Sequence, residues 1–212
     1  EKVFNTITEV KNPQGILAVV KRLEYTMEDV LGKSALKCEE KSGEKEKNPE
    51  NHQIRVPHVI VLDNLQDPGN LGTIFRTAEA AGATGILLSS DSVDVYNPKV
   101  IRSTMGSVLR MPFVYVEDLH ETLQELKNRN IRLFAAHLKG KQAYDLEDYT
   151  GDTAFLIGNE GNGLTDETAA MADTYVRIPM EGSVESLNAA VAASVLMFEA
   201  ARQRRNSQQG NN

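Results

Sequence analysis

The sequence predicts an α/β fold in which helices flank a mainly parallel sheet. Short, continuously apolar runs such as residues 59–62 are typical of strands that are covered on both faces. The segments between these runs carry apolar residues at helical spacing, as at Leu71, Ile74, Phe75 and Ala78. Because strands and helices alternate in this way, the helices are expected to connect parallel strands.

The predicted elements follow one another from residue 56 onward. A strand at 59–62 precedes a helix that ends at Gly82, a residue type common at helix ends. A second strand is expected at 85–88, and Asn97-Pro98 opens a helix that extends to about residue 109. The other predicted elements are strands at 113–116, 132–136, 154–157 and 175–178, a helix at 118–129, and a closing helix from Ser186 to about residue 202.

The two ends of the chain differ from this central part, which we place at residues 54–205. Residues 1–32 are interpreted as a fragment of a folded unit, with a strand at 15–20 and a helical turn or second strand at 26–31. Residues 33–53 are rich in charged and small polar residues, which predicts a solvated, flexible linker. Residues 206–212 are predicted to be a disordered tail.

Composition bounds the class of protein. With 212 residues, 41% hydrophobic and 25% charged, the chain suits one soluble domain plus an appendage. Its apolar runs are too short to span a bilayer, and its start lacks a signal-peptide pattern. The single cysteine, Cys38, excludes an internal disulfide and a cysteine-based metal site, so we expect no metal and a cytoplasmic location.

The net charge of −7 argues against nucleic-acid binding unless basic residues gather locally. Two groups of arginines could do so: Arg76, Arg102 and Arg110, or Arg202, Arg204 and Arg205. The equally weighted alternative is that these are scattered surface charges.

Three loops rich in Gly, Asn and Ser each follow an apolar run, at residues 67–76, 158–163 and 178–188. In the first, Gly69 and Gly72 permit a tight turn, and the free N–H groups of the following helix offer an anion site. Arg76 in the second helical turn could point back toward this loop. The spacing matches neither a dinucleotide fingerprint nor a phosphate-cradling loop, and a capped helix with a surface arginine is the alternative.

The second and third loops contain the other candidate polar residues. Three glycines within residues 158–163 allow the backbone to wrap closely round a small ligand, and Glu160 is the only acid there; a Gly-rich turn capped by a carboxylate is the alternative. In the third loop Ser186 is a natural helix cap. Asn188, expected within the first helical turn, is less easily explained by capping.

Taken together, the loops resemble those of the SpoU/TrmH-type RNA 2′-O-methyltransferases, a branch of the knotted SPOUT superfamily. The resemblance rests on Asn70, Gly72 and Arg76, on the Gly-Asn-Glu-Gly sequence at 158–161, and on Ser186-Leu187-Asn188. A smaller match lies at residues 102–106, where the family has a basic helix containing Ser and Gly. The resemblance covers about residues 54–203.

The resemblance implies a C-terminal deep trefoil knot and S-adenosylmethionine as the cofactor. It also implies a homodimer, which fits the strongly apolar closing helix. The reaction would be methyl transfer to a ribose 2′-hydroxyl of RNA, and ribosomal RNA is favoured over transfer RNA. The reason is that residues 6–20 resemble the last part of an L30e-like substrate-binding domain, so that residues 1–32 would be its remnant.

The resemblance also assigns roles to individual residues. The implied catalytic residues are Arg76, Asn70, Glu160, Ser186 and Asn188. The implied cofactor-binding residues are His137, Leu138, Ile157, Gly158, Asn159, Gly161, Ile178, Met180, Ser186, Leu187 and Asn188. The implied RNA-binding residues are Arg76, Arg102 and Ser103. Because a guanidinium is rarely neutral, we favour Arg76 as a phosphate ligand and alkoxide stabiliser over a base. His137 is expected to pack or to bind backbone groups.

Several other functions stay open at this point. One is a non-catalytic RNA-binding relative with the same fold, which the intact Arg76, Glu160 and Asn188 disfavour. Another is a dehydrogenase-like nucleotide-binding enzyme, which would place its glycine loop earlier in the chain. A transfer-RNA 2′-O-methyltransferase and a base methyltransferase of the knotted superfamily are closer alternatives.

Overall fold

The centre of the structure is a seven-stranded sheet in the order β3-β2-β1-β6-β4-β7-β5. We describe residues 19–33 and 55–209 of a computed structural model. All six strand pairs are parallel, so the carboxyl ends of the strands meet at one edge of the sheet. The strands are β1 (His58–Leu62), β2 (Gly85–Ser89), β3 (Phe113–Val116), β4 (Arg132–Ala136), β5 (Gln142–Ala143), β6 (Thr153–Ile157) and β7 (Thr174–Arg177). The predicted α/β class with a parallel sheet is confirmed.

The helices cover both faces of the sheet. They are α1 (Met27–Val30), α2 (Pro68–Ala81), α3 (Pro98–Ser103), α4 (Leu119–Asn128), α5 (Asp166–Ala170) and α6 (Ala189–Gln209). Side chains of α2, α3 and α6 pack in one core with Ile60, Leu62 and Phe155 of the sheet. Side chains of α1, α4 and α5 pack in a second core on the opposite face. Strands β1 and β6 are buried at every position, which explains their apolar runs at residues 59–62 and 154–157.

The N-terminal segment is integrated into the second core. Val30 and Leu31 are fully buried, and Glu28 forms an ion pair of 2.6 Å with Arg129, the C-cap residue of α4. Of the two alternatives predicted for residues 26–31, the structure has the helical turn and not the strand, with Thr26 and Asp29 forming a capping box. The strand predicted at 15–20 lies mostly outside the described residues, and residues 19 and 20 are not in a strand. The predicted linker at 33–53 lies outside them except for residue 33.

Two helix predictions were wrong in length. The helix at Pro98 ends at Ser103 instead of near residue 109, because Met105 and Gly106 both have positive φ and break it before a short 3-10 turn at Ser107–Leu109. The closing helix begins at Ala189 instead of Ser186 and continues to Gln209. Residues 206–209 are therefore helical, and the prediction of a disordered tail is wrong for them.

Two short elements were not predicted, namely β5 and α5. Strand β5 has only two residues and α5 only five, which is too little sequence for a periodic pattern. The trefoil knot stays a prediction, as does the division of the chain into an L30e-like remnant, a linker and a catalytic domain.

Candidate active site

The three loops singled out in the sequence lie at the carboxyl edge of the sheet. The first follows β1, the second follows β6, and the third follows β7. Strands β1 and β6 are neighbours, and β4 lies between β6 and β7. In parallel α/β sheets this edge is where ligands bind, so the topology brings the loops into one region.

The start of α2 is closed by acidic groups of the protein itself. Asp67 is the N-cap residue, and its side chain accepts a hydrogen bond of 2.8 Å from the backbone N–H of Asn70. Glu160 of the second loop accepts from the backbone N–H groups of Gln66 (3.1 Å) and Asp67 (2.9 Å). The anion site predicted at this helix start is therefore occupied by carboxylates of the chain, and that prediction is corrected.

Asn70 is the centre of a hydrogen-bond network that joins the three loops. Its side-chain N–H donates to Glu160 Oε1 at 3.0 Å, and its Oδ1 accepts from Asn188 Nδ2 at 2.9 Å. The Oδ1 atom of Asn188 in turn accepts from the backbone N–H groups of Ala190 (2.9 Å) and Val191 (3.2 Å). The predicted grouping of Asn70, Glu160 and Asn188 is present in the structure.

Asn188, and not Ser186, caps the closing helix. The Oδ1 atom of Asn188 accepts hydrogen bonds from two backbone N–H groups in the first turn of α6, which is the geometry of an N-cap. The expectation that Asn188 lies inside the helix was wrong. Ser186 is exposed and Leu187 half-buried, and no hydrogen bond joins Ser186 to the network in the described chain.

The network holds the Glu160 carboxylate in its charged form. Partial burial raises the pKa of Glu160, but hydrogen bonds from the Asn70 side chain and the Asp67 and Gln66 backbone outweigh it, so the pKa lies below its usual value. Glu160 is consequently an acceptor that fixes the first loop, and a proton donor role does not suit it.

Arg76 lies on the exposed side of α2, two turns from the cap. Among residues 19–33 and 55–209, no side chain or backbone group forms a hydrogen bond or ion pair with its guanidinium. On a helix it shares a face with Gly72 and Thr73, and helical side chains lean toward the N-terminal end. Its five N–H donors are thus available to a ligand at the loop edge.

The second loop is a tight turn that requires glycine at one position. A Cβ atom on Gly158 would lie 2.1 Å from the backbone of Gly163 and Leu164. Asn159 and Gly163 exchange backbone hydrogen bonds of 3.0 and 2.9 Å. Asn159 Oδ1 also accepts from the Gly161 and Asn162 N–H groups, while its Nδ2 donates to the carbonyl of Asn64 at 2.8 Å. Asn159 therefore holds the turn and fastens it to the first loop.

The other predicted cofactor-binding residues line the same edge. Ile157 is buried at the end of β6, and its carbonyl accepts from the Asp63 N–H at 2.9 Å. Leu138 is 59% exposed, and Ile178 and Met180 are half-buried. In the described chain no backbone–backbone hydrogen bond involves residues 180–187. Exposed apolar side chains beside unpaired backbone groups suit a mixed apolar and polar ligand.

His137 has a packing role, as expected. Its ring stacks on Tyr175 with centroids 5.1 Å apart, and its Nδ1 accepts from the Lys139 N–H at 3.0 Å. These contacts order the loop after β4 next to β7.

The predicted RNA-binding residues have different surroundings. Arg102 is exposed on α3. The Ser103 hydroxyl faces the carbonyls of Val100 (2.8 Å) and Pro68 (3.3 Å), and a Cβ on Gly72 would lie 1.7 Å from it. Gly72 is therefore needed for the close approach of α2 and α3.

Three arginines of the two predicted basic groups already form ion pairs or hydrogen bonds within the protein. Arg110 forms a two-point ion pair with Glu79, and Arg202 forms one with Glu199. Arg204 is half-buried and donates to four backbone carbonyls. The second group is consequently not a free basic patch, whereas Arg76 and Arg102 remain exposed.

Sequence reasoning missed the part played by Gln66 and Asn64. The Gln66 side chain donates to Asn64 Oδ1 and to the Asp91 carbonyl, which ties the first loop to the loop after β2. Asn64 has a φ of 53°, and an Asn directly after a buried strand was the available signal for such a turn.

Within residues 19–33 and 55–209 there is no cluster of three or more His, Cys, Asp or Glu residues that could hold a metal ion. The same part of the chain contains no helix long and apolar enough to cross a membrane.

The fold and the site together define an α/β protein whose candidate ligand site lies outside the carboxyl ends of parallel strands. The chain belongs to the SpoU rRNA methylase family, whose model matches residues 57–198.

Relatives and solved structures agree with this assignment. The chain is 41% identical over 150 residues to an uncharacterised tRNA/rRNA methyltransferase of Synechocystis, covering 69% of this chain and 55% of that protein. It is 38% identical over 148 residues to the 23S rRNA (guanosine-2′-O-)-methyltransferase RlmB of Pseudomonas putida, covering 70% and 60%. The chain thus spans less than two thirds of the length of these relatives.

A solved structure, the SpoU methyltransferase AviRb of Streptomyces viridochromogenes in complex with AdoMet, superposes with a TM-score of 0.68 at 37% identity. The match covers 72% of this chain and 62% of that one.

Proposed function

We propose that the protein transfers a methyl group from S-adenosylmethionine to a ribose 2′-hydroxyl of RNA. The observation that carries this proposal is the hydrogen-bond network Glu160–Asn70–Asn188, which gathers the family's three loops at one edge of the sheet. Membership of the family and the AdoMet-bound relative support the choice of reaction and cofactor.

The residues present fit the cofactor. Leu138, Ile178 and Met180 offer apolar surface, and the unpaired backbone of residues 180–187 offers hydrogen-bonding groups. When bound, the cofactor supplies a methyl group that is already activated on a positively charged sulfur. The protein's task is therefore to orient the attacking ribose oxygen and to stabilise the charge that develops on it.

Arg76 is the group best placed for that task. It is exposed, shares the helix with Asn70, and has no partner in the described chain. Its planar fork suits a phosphate of the RNA and a developing alkoxide, and it remains protonated in either role. Glu160 and Asn70 act as positioning residues, because their bonds to each other fix the start of the helix that carries Arg76.

The test compares Arg76→Lys with Arg205→Lys, a matched change at an exposed arginine near the end of α6. Tritiated S-adenosylmethionine is supplied with total RNA that lacks the modification, and cofactor binding is titrated by calorimetry. We expect Arg76→Lys to lose about 100-fold or more in kcat, comparable with loss of one charge-stabilising donor, and to bind the cofactor normally. A rate within a few-fold of wild type would refute the role of Arg76, and absence of cofactor binding by the wild-type chain would refute the function.

We further propose ribosomal RNA as the substrate, a homodimer as the active species and the cytoplasm as the location. Relatives such as RlmB bear the name of a 23S rRNA enzyme, which favours ribosomal over transfer RNA. Most of the apolar face of α6 is buried within its own chain, but Val191 and Phe198, two turns apart on one face, are 47% and 46% exposed and could meet a second copy. Separate fractions of ribosomal and transfer RNA in the methylation assay distinguish the two substrates.

A further inference from the structure

An aromatic cleft lies at the β3 edge of the sheet, away from the three loops. It is formed between residues 22–25 of the N-terminal segment, β3 and the loop that precedes α3, and its volume is about 330 Å³. Since β3 ends the strand order, its outer backbone edge has no strand partner in the described sheet. The cleft therefore combines side chains with free edge backbone.

The aromatic lining is a set of rings packed edge to face around Phe113. The ring centroids of Tyr25, Tyr96 and Tyr115 lie 5.8, 6.0 and 6.4 Å from that of Phe113. The three tyrosines are half-buried. Two of their hydroxyls are engaged: Tyr96 donates to the Leu23 carbonyl at 3.3 Å and Tyr115 to the Val93 carbonyl at 2.7 Å. At Tyr96 and Tyr115 the rings, and not the hydroxyls, are left to contact a ligand.

The charges of the cleft disfavour a phosphate and suit a neutral ring. The Arg22 guanidinium lies over the Tyr96 ring at 4.3 Å, so an exposed planar cation continues the aromatic surface. Two carboxylates, Glu24 and Asp94, also line the cleft. One cation against two anions repels a phosphate, whereas carboxylates accept hydrogen bonds from the exocyclic amine of a nucleobase.

The cleft is close to the proposed active site along one short helix. Tyr96 directly precedes Asn97, the N-cap of α3. Six residues later α3 ends at Ser103, which touches Pro68 at the start of α2. A helix of that length spans about 9 Å. A strand of RNA that passes Arg76 could therefore place a nearby base at the cleft.

We propose that this cleft binds one base of the RNA substrate, a few nucleotides along the strand from the one whose ribose is methylated, and prefers a base with an exocyclic amine. The base stacks against the tyrosine and Arg22 surface and donates from its amine to Asp94 or Glu24. This inference rests on the proposed function, because RNA is the ligand that both share. Stacking of bases on aromatic rings is the usual means of holding single strands.

The test measures binding of fluorescein-labelled 12-nucleotide oligomers of cytidine and of uridine by fluorescence anisotropy. The two pyrimidines are nearly isosteric, but only cytosine has the exocyclic amine. We expect the wild type to bind the cytidine oligomer several-fold more tightly. Tyr96→Leu should weaken this binding by about 5-fold or more, the loss of one stacked base. Asp94→Asn, which can still accept from the Tyr96 N–H, should narrow the preference for cytidine.

Matched variants separate binding from folding. Tyr96→Phe keeps the ring and should bind as wild type, and Tyr144→Leu alters a half-buried tyrosine beside β5 at the opposite edge of the sheet. Arg22→Gln changes an exposed side chain and should weaken binding without affecting folding. If Tyr96→Leu and Arg22→Gln bind like Tyr144→Leu, or if the wild type binds neither oligomer, the cleft is not a base site. Calorimetry with S-adenosylmethionine on the same samples shows separately whether the proposed function stands.

Discussion

Asn188 performs two tasks with the two ends of one amide. Its oxygen caps α6, and its nitrogen donates to Asn70 in the first loop. Neither serine nor aspartate can do both, because serine is too short to provide a second, separate donor and an aspartate has no N–H. The amide therefore couples the start of the last helix to the loop that precedes Arg76.

Replacing Asn188 by Asp or by Ala should separate these tasks. Aspartate keeps the cap and suits the positive end of the helix, so we expect stability within about 0.5 kcal/mol of wild type. It faces Asn70 Oδ1 with a second acceptor, however, so the network is broken and methyl transfer should fall sharply. Alanine loses the cap and the bond to Asn70, and should also cost about 1 kcal/mol of stability.

Urea unfolding and the methylation assay measure the two effects. A fully active Asn188→Asp variant would show that the bond to Asn70 is dispensable. Equal destabilisation by Asp and Ala would show that capping is not the role of the oxygen.

The sequence was sufficient to find the residues of the network but not their bonds. Asn70, Glu160 and Asn188 were singled out, and the structure brings them together. The cap was assigned to Ser186 because Ser and Asn are both good caps and lie two residues apart. Asn188 is favoured over Ser186 at the start of the helix by its hydrogen bond to Asn70, and Asn70 lies 118 residues away in the sequence.

Among the elements, buried strands were the most predictable. The last four residues of β1 and of β6 are all apolar and buried, so the pattern is unambiguous. Helix ends were less predictable. The break after α3 depends on Met105, which adopts a φ of 51° without any sequence signal of its own apart from the following Gly106. The predicted knot would depend on chain threading, which no local pattern encodes.

The turn after β6 should tolerate no side chain at Gly158. A Cβ there meets the backbone of Gly163 and Leu164 at 2.1 Å, and backbone atoms cannot move aside cheaply. We expect Gly158→Ala to cost about 1–3 kcal/mol and to abolish cofactor binding, since the turn would have to open.

Gly182→Ala is the matched control, because a Cβ at Gly182 has no atom within 4 Å and its φ is not in the left-handed region. Thermal unfolding and calorimetry compare the two variants. Normal cofactor binding by Gly158→Ala would contradict the conclusion that the turn after β6 accepts no side chain at this position.

At the scale of the whole molecule, Arg204 fastens the last helix to the amino ends of the strands. Its guanidinium donates to the carbonyls of Tyr149 (2.9 Å), Val56 (3.0 Å), Pro57 (2.9 Å) and Gly151 (2.7 Å). Helix α6 is thereby held at both ends, by Asn188 at the carboxyl edge of the sheet and by Arg204 at the amino edge.

His58 makes the folded molecule sensitive to acid. His58 is only 1% exposed, and its Nε2 atom has no hydrogen-bond partner in the described chain. Burial, with a smaller effect of the Arg204 charge, lowers the pKa of His58 from 6.5 to about 3. Between these two values the unfolded chain binds a proton that the folded chain does not, so stability falls as the pH falls.

We therefore expect the pH dependence of stability to be shallower in His58→Leu. The free energy of unfolding of the wild type should lose up to about 1.4 kcal/mol per pH unit to this one group between pH 6 and 4. Urea unfolding at several pH values measures the difference from the variant, and His120→Leu, at an exposed position of α4, is the control. Identical slopes for the wild type and His58→Leu would contradict a neutral buried His58.

The Asn70 network also sets the earliest point during protein synthesis at which the candidate active site can form. Its two side-chain bonds close spans of 90 and 118 residues, and such distant contacts form late in folding. A chain still under synthesis exposes the first loop long before either partner has been made. The release of residue 188 from the ribosome is thus the earliest moment at which the three loops can act together.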